Sequence, residues 1–329
     1  MRVFVHIGDQ KSGSTSIQSF IAQKAEWLEQ NGFTTLETTK RGIFDSGLAV
    51  LTGWAEPTYE AYKKSKKWEE PTKNQFLKRA ESELEKEVRN LTHENIIVSF
   101  EGLIEAGNER AKKATDLLAK MFDDVQVIAI LRRNDRRVAS GYSSRLKNGA
   151  TDQNILFKDN GTPRGIDYLH AVGAWADCVG DNKTHFINFD KTRDVMDSFA
   201  KTIGISLPGD YAKVTKNKSL SGYAAEVTRR FNEELANQSP YSQKPRQIRM
   251  EISRQVVGEK LLPARHEAQH HYEHFRGSNI ALAQRFFGWD SDFFDNDFSN
   301  YPESRRDFAI TDKEFYNYVN QAAQRLGVF

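Results

Sequence analysis

The chain has 329 residues, and its hydrophobic fraction of 38%, which includes 21 Phe, is enough for a packed core. Its 47 Lys and Arg nearly balance its 45 Asp and Glu, so the formal net charge of +2 excludes the strongly basic character of a nucleic-acid-binding protein. The single cysteine, Cys178, cannot form an internal disulfide, which predicts a reducing, cytoplasmic compartment. No hydrophobic run approaches membrane-spanning length, and the first strand begins too early for a signal peptide.

Apolar periodicity predicts strands and helices that alternate along most of the chain. Strands are predicted at 2–7, 33–37, 95–100, 125–131 and 184–189. Helices are predicted at 14–30, 73–92, 109–121, 135–147, 166–179, 191–203, 221–236, 263–286 and 312–325. The alternation predicts an α/β fold with a mostly parallel central sheet, helices on both faces and a helical C-terminal part. No repeat or linker divides the sequence, so we expect a single domain over 1–329.

Two polar segments, 40–72 and 146–165, contain Gly and Pro but show little periodicity. In an open α/β sheet, irregular connections near the open end of the sheet commonly carry binding residues. We therefore expect both segments to be substrate loops.

A glycine-containing loop follows the first predicted strand. Gly8–Thr15 has the spacing G-x-x-x-x-G-S-T, which is that of a phosphate-binding loop except that Ser14 occupies the lysine position. Lys11 stands three residues earlier, and Ser14, Thr15 and Ser16 open the next helix. Backbone N–H groups and the helix N-terminus can therefore bind an anion. ATP is disfavoured because no lysine is placed to reach its β- and γ-phosphates, and an ordinary Gly/Ser turn is the alternative interpretation.

A second segment pairs an arginine with a serine at a strand end. The apolar run 125–131 predicts a strand buried on both faces, and Arg132 follows it at the edge where open α/β sheets bind ligands. The planar guanidinium suits a phosphate because it can donate two hydrogen bonds at once. Asp135 is predicted to cap the next helix, on which Ser140 lies two turns in. Arg132 with Ser140 is thus a candidate ligand contact.

The other basic residues of this segment have a simpler interpretation. A helix with several cations at its surface is usually a solvated basic face. We therefore interpret Arg136, Arg137, Arg145 and Lys147 in that way.

Together, the two segments resemble the sulfotransferases that use 3′-phosphoadenosine 5′-phosphosulfate. That family has a K-[ST]-G-[ST]-[ST] core in its first loop, which stands here as Lys11–Thr15, and an Arg and a Ser eight residues apart in its second motif, which stand here as Arg132 and Ser140. Weaker similarity continues through the segments 168–175, 185–190, 217–221 and 278–283. The usual Pro after the strand-end Arg and the glycine-rich Arg-Lys-Gly segment of cytosolic members are not evident. Ser16 stands where many cytosolic members have an aromatic residue.

The resemblance implies a sulfotransferase fold related to the P-loop nucleotidases, a donor and an acceptor. It implies that 3′-phosphoadenosine 5′-phosphosulfate is the donor, adenosine 3′,5′-bisphosphate the product, and that no metal is required. The acceptor would be a hydroxyl, or an amine, of a glycan or small metabolite. The residues that would bind the donor are Lys11, Ser12, Gly13, Ser14, Thr15 and Ser16 around the 5′-phosphosulfate and Arg132 and Ser140 on the 3′-phosphate.

Two residues are predicted to take part in the chemistry. Lys11 is the expected donor to the bridging oxygen of the leaving phosphate. Glu101 follows the predicted strand 95–100 at the same edge of the sheet, and strand-end carboxylates act as the base in some glycan-modifying sulfotransferases. The alternative for Glu101 is a helix cap or loop staple. His6, inside the first strand, is interpreted as a packed core residue.

Three other functions stay open at this stage. His266, Glu267 and His270 fit H-E-x-x-H, the pattern of a zinc hydrolase, but they also fit a polar helix surface. A P-loop kinase-like protein and a non-catalytic nucleotide-binding protein would each use the first loop. The acidic run 290–295 lacks the Gly and terminal Glu of a calcium loop. The sequence does not define the oligomeric state.

Overall fold

The protein has an α/β fold organised in two compact units. The structure, a computed structural model, describes residues 1–53, 56–70, 72–211 and 219–328. The first unit comprises Met1–Arg132, Ile166–Lys216 and Ser278–Phe294, and the second comprises Arg133–Gly165, Asn217–Gly277 and Asp295–Phe329, as far as these ranges are described. This division does not test the expectation of a single domain over 1–329, which stays a prediction.

A five-stranded, wholly parallel sheet, with the strand order β2-β3-β1-β4-β5, forms the centre of the first unit. Its strands are β1 (Arg2–His6), β2 (Phe33–Thr35), β3 (Asn95–Ser99), β4 (Asp124–Leu131) and β5 (Thr184–Asn188). Each of the five predicted strands is therefore confirmed, and so is the α/β fold class. Because the strands are parallel, the chain leaves β1, β3 and β4 at the same edge of the sheet.

Helices flank the sheet in the first unit and make up most of the regular structure of the second. The helices are α1 (Ser14–Gln23), α2 (Ala25–Gln30), α3 (Ser46–Leu51), α4 (Glu56–Lys66), α5 (Lys73–Arg89), α6 (Gly107–Ala119), α7 (Asn134–Lys147), α8 (Tyr168–Val179), α9 (Val195–Ile203), α10 (Gly222–Arg230), α11 (Pro245–Gln255), α12 (Arg265–Phe287) and α13 (Asp312–Arg325). Within the described ranges, no helix is long and apolar enough to cross a membrane.

Helix α5 shows how the sequence pattern forms these elements. Its buried residues are Phe76, Ala80, Leu84 and Val88, which recur every four positions and so lie on one face. The side chain of Thr72 caps its first turn by accepting a hydrogen bond from the Gln75 N–H at 3.2 Å.

Several predicted helices differ from the structure. The helix predicted over 14–30 breaks at Lys24 into α1 and α2. The helix predicted over 221–236 is α10 followed by a π-helical turn at Phe231–Leu235. Helix α11 was not predicted, since Pro245 at its start and few apolar residues gave little periodicity.

The prediction that 40–72 is a loop is wrong, because α3 and α4 lie within it. The apolar face of α4 consists of Tyr59 and Tyr62, whose rings pack edge-on against Phe76 with centroids 5.6 and 6.0 Å away. Hydropathy scales rank tyrosine as nearly polar, so the apolar periodicity did not predict the buried face of α4. Segment 146–165, in contrast, is irregular after α7 ends, apart from an isolated bridge between Phe157 and Pro163. The roles of both segments in substrate binding stay predictions.

A fully buried arginine organises part of the second unit. The Arg133 guanidinium is 0% exposed and donates to both carboxylate oxygens of Asp135, at 2.8 and 2.9 Å, and to Asp295 Oδ1 at 2.8 Å. It also lies over the Phe298 ring, 4.1 Å from the centroid. Tyr301 donates to Asp135 at 2.7 Å. Removing one partner from a buried pair of this kind typically costs about 3–5 kcal/mol, because the remaining charge stays buried.

These contacts correct two sequence interpretations. Asp135 is not the helix cap but lies in the first turn of α7, where it pairs with Arg133. Arg136 and Arg145 do not belong to a solvated face, since Arg136 donates to both oxygens of Asp295 and Arg145 to the Ile155 carbonyl at 2.8 Å.

Candidate functional site

The loop between β1 and α1 contains backbone conformations that ordinary residues avoid. Gly8 and Gly13 have φ angles of 66° and 91°, which glycine adopts freely. Lys11, between them, has a φ of 67°, in the left-handed region that costs a residue with a Cβ atom about 1–3 kcal/mol. The chain therefore holds a lysine in a strained conformation within the loop that the sequence singled out.

Hydrogen bonds to one backbone group close this loop. The hydroxyls of Ser12 and Ser14 both donate to the Asp9 carbonyl, the latter at 2.9 Å, and the Asp9 N–H donates to Ser12 Oγ at 3.3 Å. Both serines are buried. Their hydroxyls are thus used inside the loop, and only their backbone N–H groups remain as contacts for a ligand.

The first turn of α1 begins at a residue without a capping side chain. Gly13 is the N-cap, and a Cβ atom there would lie 2.7 Å from Val195 Cγ1, so only glycine fits. Thr15 and Ser16 are half-buried in this first turn. An uncapped helix N-terminus favours an anion through its N–H groups and the helix dipole.

Arg132, at the end of the neighbouring strand β4, contacts the loop between β1 and α1. Its Nη1 donates to the Lys11 carbonyl at 2.8 Å, its guanidinium carbon lies 5.0 Å from the centroid of the Phe189 ring, and its Nε is 3.7 Å from Asp190 Oδ1. Nε is buried and has no hydrogen-bond partner among the described residues. The guanidinium therefore fixes the strained lysine while retaining donor capacity.

The Tyr168 hydroxyl contacts the Asp9 carboxylate and the Arg132 carbonyl, the latter at 2.8 Å. This tyrosine starts α8 and is fully buried. Sequence reasoning did not identify it as a site residue, because an aromatic residue at a helix start carries no chemical signature. Its only signal was its place in a segment of weaker family similarity.

Glu101 lies beside the start of the loop, as the sequence predicted from its strand-end position. It begins a 3₁₀ helix at Glu101–Glu105, immediately after β3 and Phe100. A Cβ atom on Gly8 would lie 2.7 Å from Glu101 Cα, so the two backbones are in contact. Gln18 Nε2, from the second turn of α1, donates to Glu101 Oε2 at 2.6 Å. The structure therefore brings Glu101 to the loop and orients its carboxylate with a buried amide.

Ser140, the predicted partner of Arg132, lies half-buried on α7 in the second unit, whereas Arg132 belongs to the first. That both residues contact one phosphate stays a prediction. In the segment 217–221 of weaker similarity, Asn217 and Lys218 lie outside the described residues.

Behind the loop, a buried polar network joins the ends of β1 and β3. His6 Nδ1 and Ser99 Oγ are 2.8 Å apart, and Asp45 accepts from the Ser99 N–H and from Thr39 Oγ1, each at 2.7 Å. Burial lowers the pKa of His6 to about 3, so its imidazole is neutral and the core interpretation is confirmed. Burial raises the pKa of Asp45 to about 6 against the lowering effect of those hydrogen bonds.

The residues of the H-E-x-x-H pattern lie on α12, and two of them contact other residues of the protein. On α12, Glu267 accepts a hydrogen bond from the Ala264 N–H at 2.7 Å, next to the start of the helix, and the His270 ring stacks on Phe157 at 5.6 Å. His266 is exposed. In the part of the chain that the structure describes, no group of three or more His, Cys, Asp or Glu residues could hold a metal ion. The zinc interpretation therefore lacks a third ligand there.

Comparisons with known proteins give a distant structural neighbour. No protein-family model matches the sequence, and no curated protein matches it either. Among solved structures, the chain is similar to a sulfotransferase from Alicyclobacillus acidocaldarius, with 14% identity and a TM-score of 0.39 over 77% of this chain and 96% of the other. A likeness this distant carries no argument about function, so the loop geometry is what bears on function here.

We predict that Asp45 makes stability fall as the pH rises. The pKa of its carboxyl is about 6 in the folded state and about 3.9 in an unfolded chain, so the folded state holds the proton more tightly. Stability from this group is complete at low pH and is lost as the pH passes through about 6. Relative to wild type, the free energy of unfolding of Asp45→Asn should therefore rise by about 2–3 kcal/mol between pH 4 and pH 8, measured by urea denaturation.

Asp210→Asn is the control for this measurement. The hydrogen bond from Lys24 lowers the pKa of the exposed Asp210, so any trend in its variant has the opposite sign and falls below about pH 4, near the ordinary pKa. Between pH 4 and pH 8 its difference from wild type should stay nearly constant. A difference between Asp45→Asn and wild type that does not change with pH would contradict the prediction.

Proposed function

We propose that this protein is a sulfotransferase that moves the sulfuryl group of 3′-phosphoadenosine 5′-phosphosulfate to a hydroxyl, or an amine, of a glycan or small metabolite. One observation carries the proposal. The loop after β1 has the glycine spacing and backbone of an anion site, but the position that is lysine in a P-loop holds a serine that faces into the loop. Ser14 occupies that position, is buried and donates to the Asp9 carbonyl. Lys11 is instead held at positive φ within the loop.

This arrangement disfavours the kinase-like alternative. A P-loop kinase or nucleotidase uses the lysine after the second glycine to reach the β- and γ-phosphates. The Ser14 hydroxyl is too short for that task and is already occupied within the loop. The site therefore suits a group with one anionic centre next to the loop better than a triphosphate.

The residues present fit the donor that the sequence resemblance implies. Backbone N–H groups of the loop and of the first turn of α1, around Ser12–Ser16, would bind its 5′-phosphosulfate. The buried Nε of Arg132 has no hydrogen-bond partner among the described residues, although it lies 3.7 Å from the Asp190 carboxylate, so this guanidinium would offer a donor to the 3′-phosphate. The resemblance adds Ser140 to that contact. When bound, the donor supplies an activated sulfuryl group and a phosphate leaving group.

Two side chains would act on the transfer. The Lys11 ammonium would stabilise the charge that gathers on the leaving oxygen, an interaction stronger in the transition state than in the ground state. Glu101 would accept the proton of the acceptor hydroxyl, and the 2.6 Å hydrogen bond from Gln18 would hold its other oxygen in a fixed orientation. No metal is needed for either role.

Binding of adenosine 3′,5′-bisphosphate tests the proposed donor. It should raise the melting temperature without added metal, whereas 5′-AMP and ATP with magnesium should do so weakly, since each lacks the 3′-phosphate. Arg132→Lys keeps the charge but loses the fork, so it should weaken the bisphosphate by about tenfold or more. Thermal shift and calorimetry measure both effects, and a larger shift with ATP than with the bisphosphate would refute the assignment.

Replacing Lys11 by glycine should lower the rate of sulfuryl transfer without lowering the stability of the protein. Lys11→Gly removes the ammonium and also relieves a strained backbone, so stability should hold or increase slightly. Sulfuryl transfer from labelled donor should fall by roughly a hundredfold or more, with little loss of bisphosphate affinity. Lys67, whose φ is 54°, is the matched control: Lys67→Gly relieves similar strain and should leave transfer unchanged. An active Lys11→Gly enzyme would remove Lys11 from the mechanism.

Glu101→Gln should bind the bisphosphate normally and transfer sulfuryl slowly, by about a hundredfold or more, since an amide cannot accept the proton. Glu105→Gln, the same change at the other end of the 3₁₀ helix, is the control and should keep its activity. His266→Ala and His270→Ala should also transfer normally. Wild-type rates for Glu101→Gln in the labelled-sulfate assay would exclude Glu101 as the base.

A further inference from the structure

The second unit contains a wide, solvent-open cavity of about 830 Å³ that the loop after β1 does not form. Its wall comes from the irregular segment after α7, from α12 and from the chain before α13. The lining residues are Thr151, Asp152, Gln153, Asn154, Phe157, Lys158, Asp159, Gly161, His270 and Arg305. The volume is within the range of small-ligand sites, which span about 300–1,000 Å³.

The wall of this cavity is held in a defined conformation. Arg164 donates to the Phe157 carbonyl at 3.0 Å and to Asp152 at 3.1 Å, and Arg145 donates to the Ile155 carbonyl at 2.8 Å. The backbone N–H of Lys158 donates to the Thr162 carbonyl at 2.8 Å. These bonds pre-organise an irregular segment, which lowers the entropic cost of binding a ligand.

An aromatic surface forms one part of the wall. The Phe157 ring stacks on the His270 imidazole at 5.6 Å, and the His271 and His274 rings contact it edge-on at 5.5 and 6.0 Å. His271 is buried, and its Nε2 is 2.6 Å from the Arg164 carbonyl, which ties α12 to the same segment. A ring surface beside amides and a hydroxyl suits a ring-shaped ligand that also carries polar groups, because its apolar C–H face packs while its polar edge forms hydrogen bonds.

The residues that line the cavity include two carboxylates, Asp152 and Asp159, and two cations, Lys158 and Arg305. Arg145 and Arg164, which hydrogen-bond to the wall from behind, bring the number of nearby cations to four. Asp152 is shared between Arg145 and Arg164, at 3.4 and 3.1 Å. Arg305 donates to the Gln153 carbonyl at 3.0 Å and, like Lys158, forms no ion pair with a carboxylate of the described residues. Burial and the nearby Arg164 guanidinium lower the pKa of Arg145, which agrees with an excess of positive charge. An anionic group on the ligand would compensate this excess.

We propose that this cavity binds an acidic saccharide, a sugar ring that carries a carboxylate or a sulfate ester, as the acceptor. The ring would pack against Phe157 and His270, its hydroxyls would meet Gln153 and Thr151, and its anionic group would pair with Arg305. The role of the saccharide as acceptor rests on the proposed function; its binding in this cavity does not.

Ligand-observed NMR titration of the full chain tests the site. D-glucuronate and glucose 6-sulfate should bind, and neutral D-glucose should bind at least about tenfold more weakly, because it lacks the charge-assisted contact. Arg305→Gln should weaken both acidic sugars by about tenfold or more and leave glucose unchanged. Phe157→Leu should weaken all three sugars, since each loses the ring surface.

The neighbouring Arg306 gives a matched control. It pairs with Glu259 and lines a separate cavity, so Arg306→Gln makes the same change in net charge without touching the proposed site. It should bind both acidic sugars as wild type does. Equal loss in the two arginine variants, equal binding of glucose and glucuronate, or tighter binding of 4-hydroxybenzoate than of either acidic sugar would overturn the proposal.

Adenosine 3′,5′-bisphosphate separates this test from that of the proposed function. Arg305→Gln should bind the bisphosphate as wild type does. If the acidic sugars bind and the bisphosphate does not, the saccharide site stands and the sulfotransferase proposal fails. If the bisphosphate binds and no acidic sugar does, the saccharide site fails and the donor assignment stands.

Discussion

The carbonyl of Asp9 accepts hydrogen bonds from the hydroxyls of Ser12 and Ser14, and this double contact closes the loop between β1 and α1. With both hydroxyls used inside the loop, an anion would have to be bound by backbone N–H groups other than that of Asp9, which donates to Ser12 Oγ. The same loop contains Lys11 at positive φ, and its first residue, Gly8, contacts the Glu101 backbone. The groups proposed to bind the anion and to act on the transfer thus lie on or beside one loop. The serine in the lysine position is one of the two residues that close it.

The sequence predicted the elements that depend on local apolar periodicity. It missed the residues whose role depends on which polar group they contact. The five strands and the loop after β1 followed from short apolar runs and glycine spacing, and the position of Glu101 followed from parallel strand topology. Helix α4 was missed because its buried face is made of two tyrosines. Gln18 and Tyr168 were missed because a polar or aromatic residue reveals its role only through a partner distant in sequence.

Two consecutive arginines show the limit of motif reading most clearly. Arg132 keeps 22% of its side chain exposed and braces the loop through the Lys11 carbonyl, whereas Arg133 is 0% exposed and holds Asp135 and Asp295 in the second unit. The two arginines are adjacent in the sequence. Arg132 still has an N–H group without a hydrogen bond to any described residue, whereas Arg133 could bind a ligand only by breaking a buried ion pair. Burial, which the sequence does not reveal for a charged residue, decides between the two roles.

Two energetic costs in the first unit lie at or behind the candidate site. Positive φ at Lys11 costs about 1–3 kcal/mol, and a buried carboxylate at Asp45 costs about the same, against a typical total stability of 5–15 kcal/mol. Selection for stability alone would place glycine at position 11 and a neutral residue at position 45. Strain of this size persists in proteins where function requires the geometry that causes it. Lys67, with a φ of 54° in the same unit, shows that strain alone does not mark a site. At Lys11 the strain coincides with a closed loop and an uncapped helix N-terminus, and that coincidence is what makes this edge of the sheet the candidate functional site.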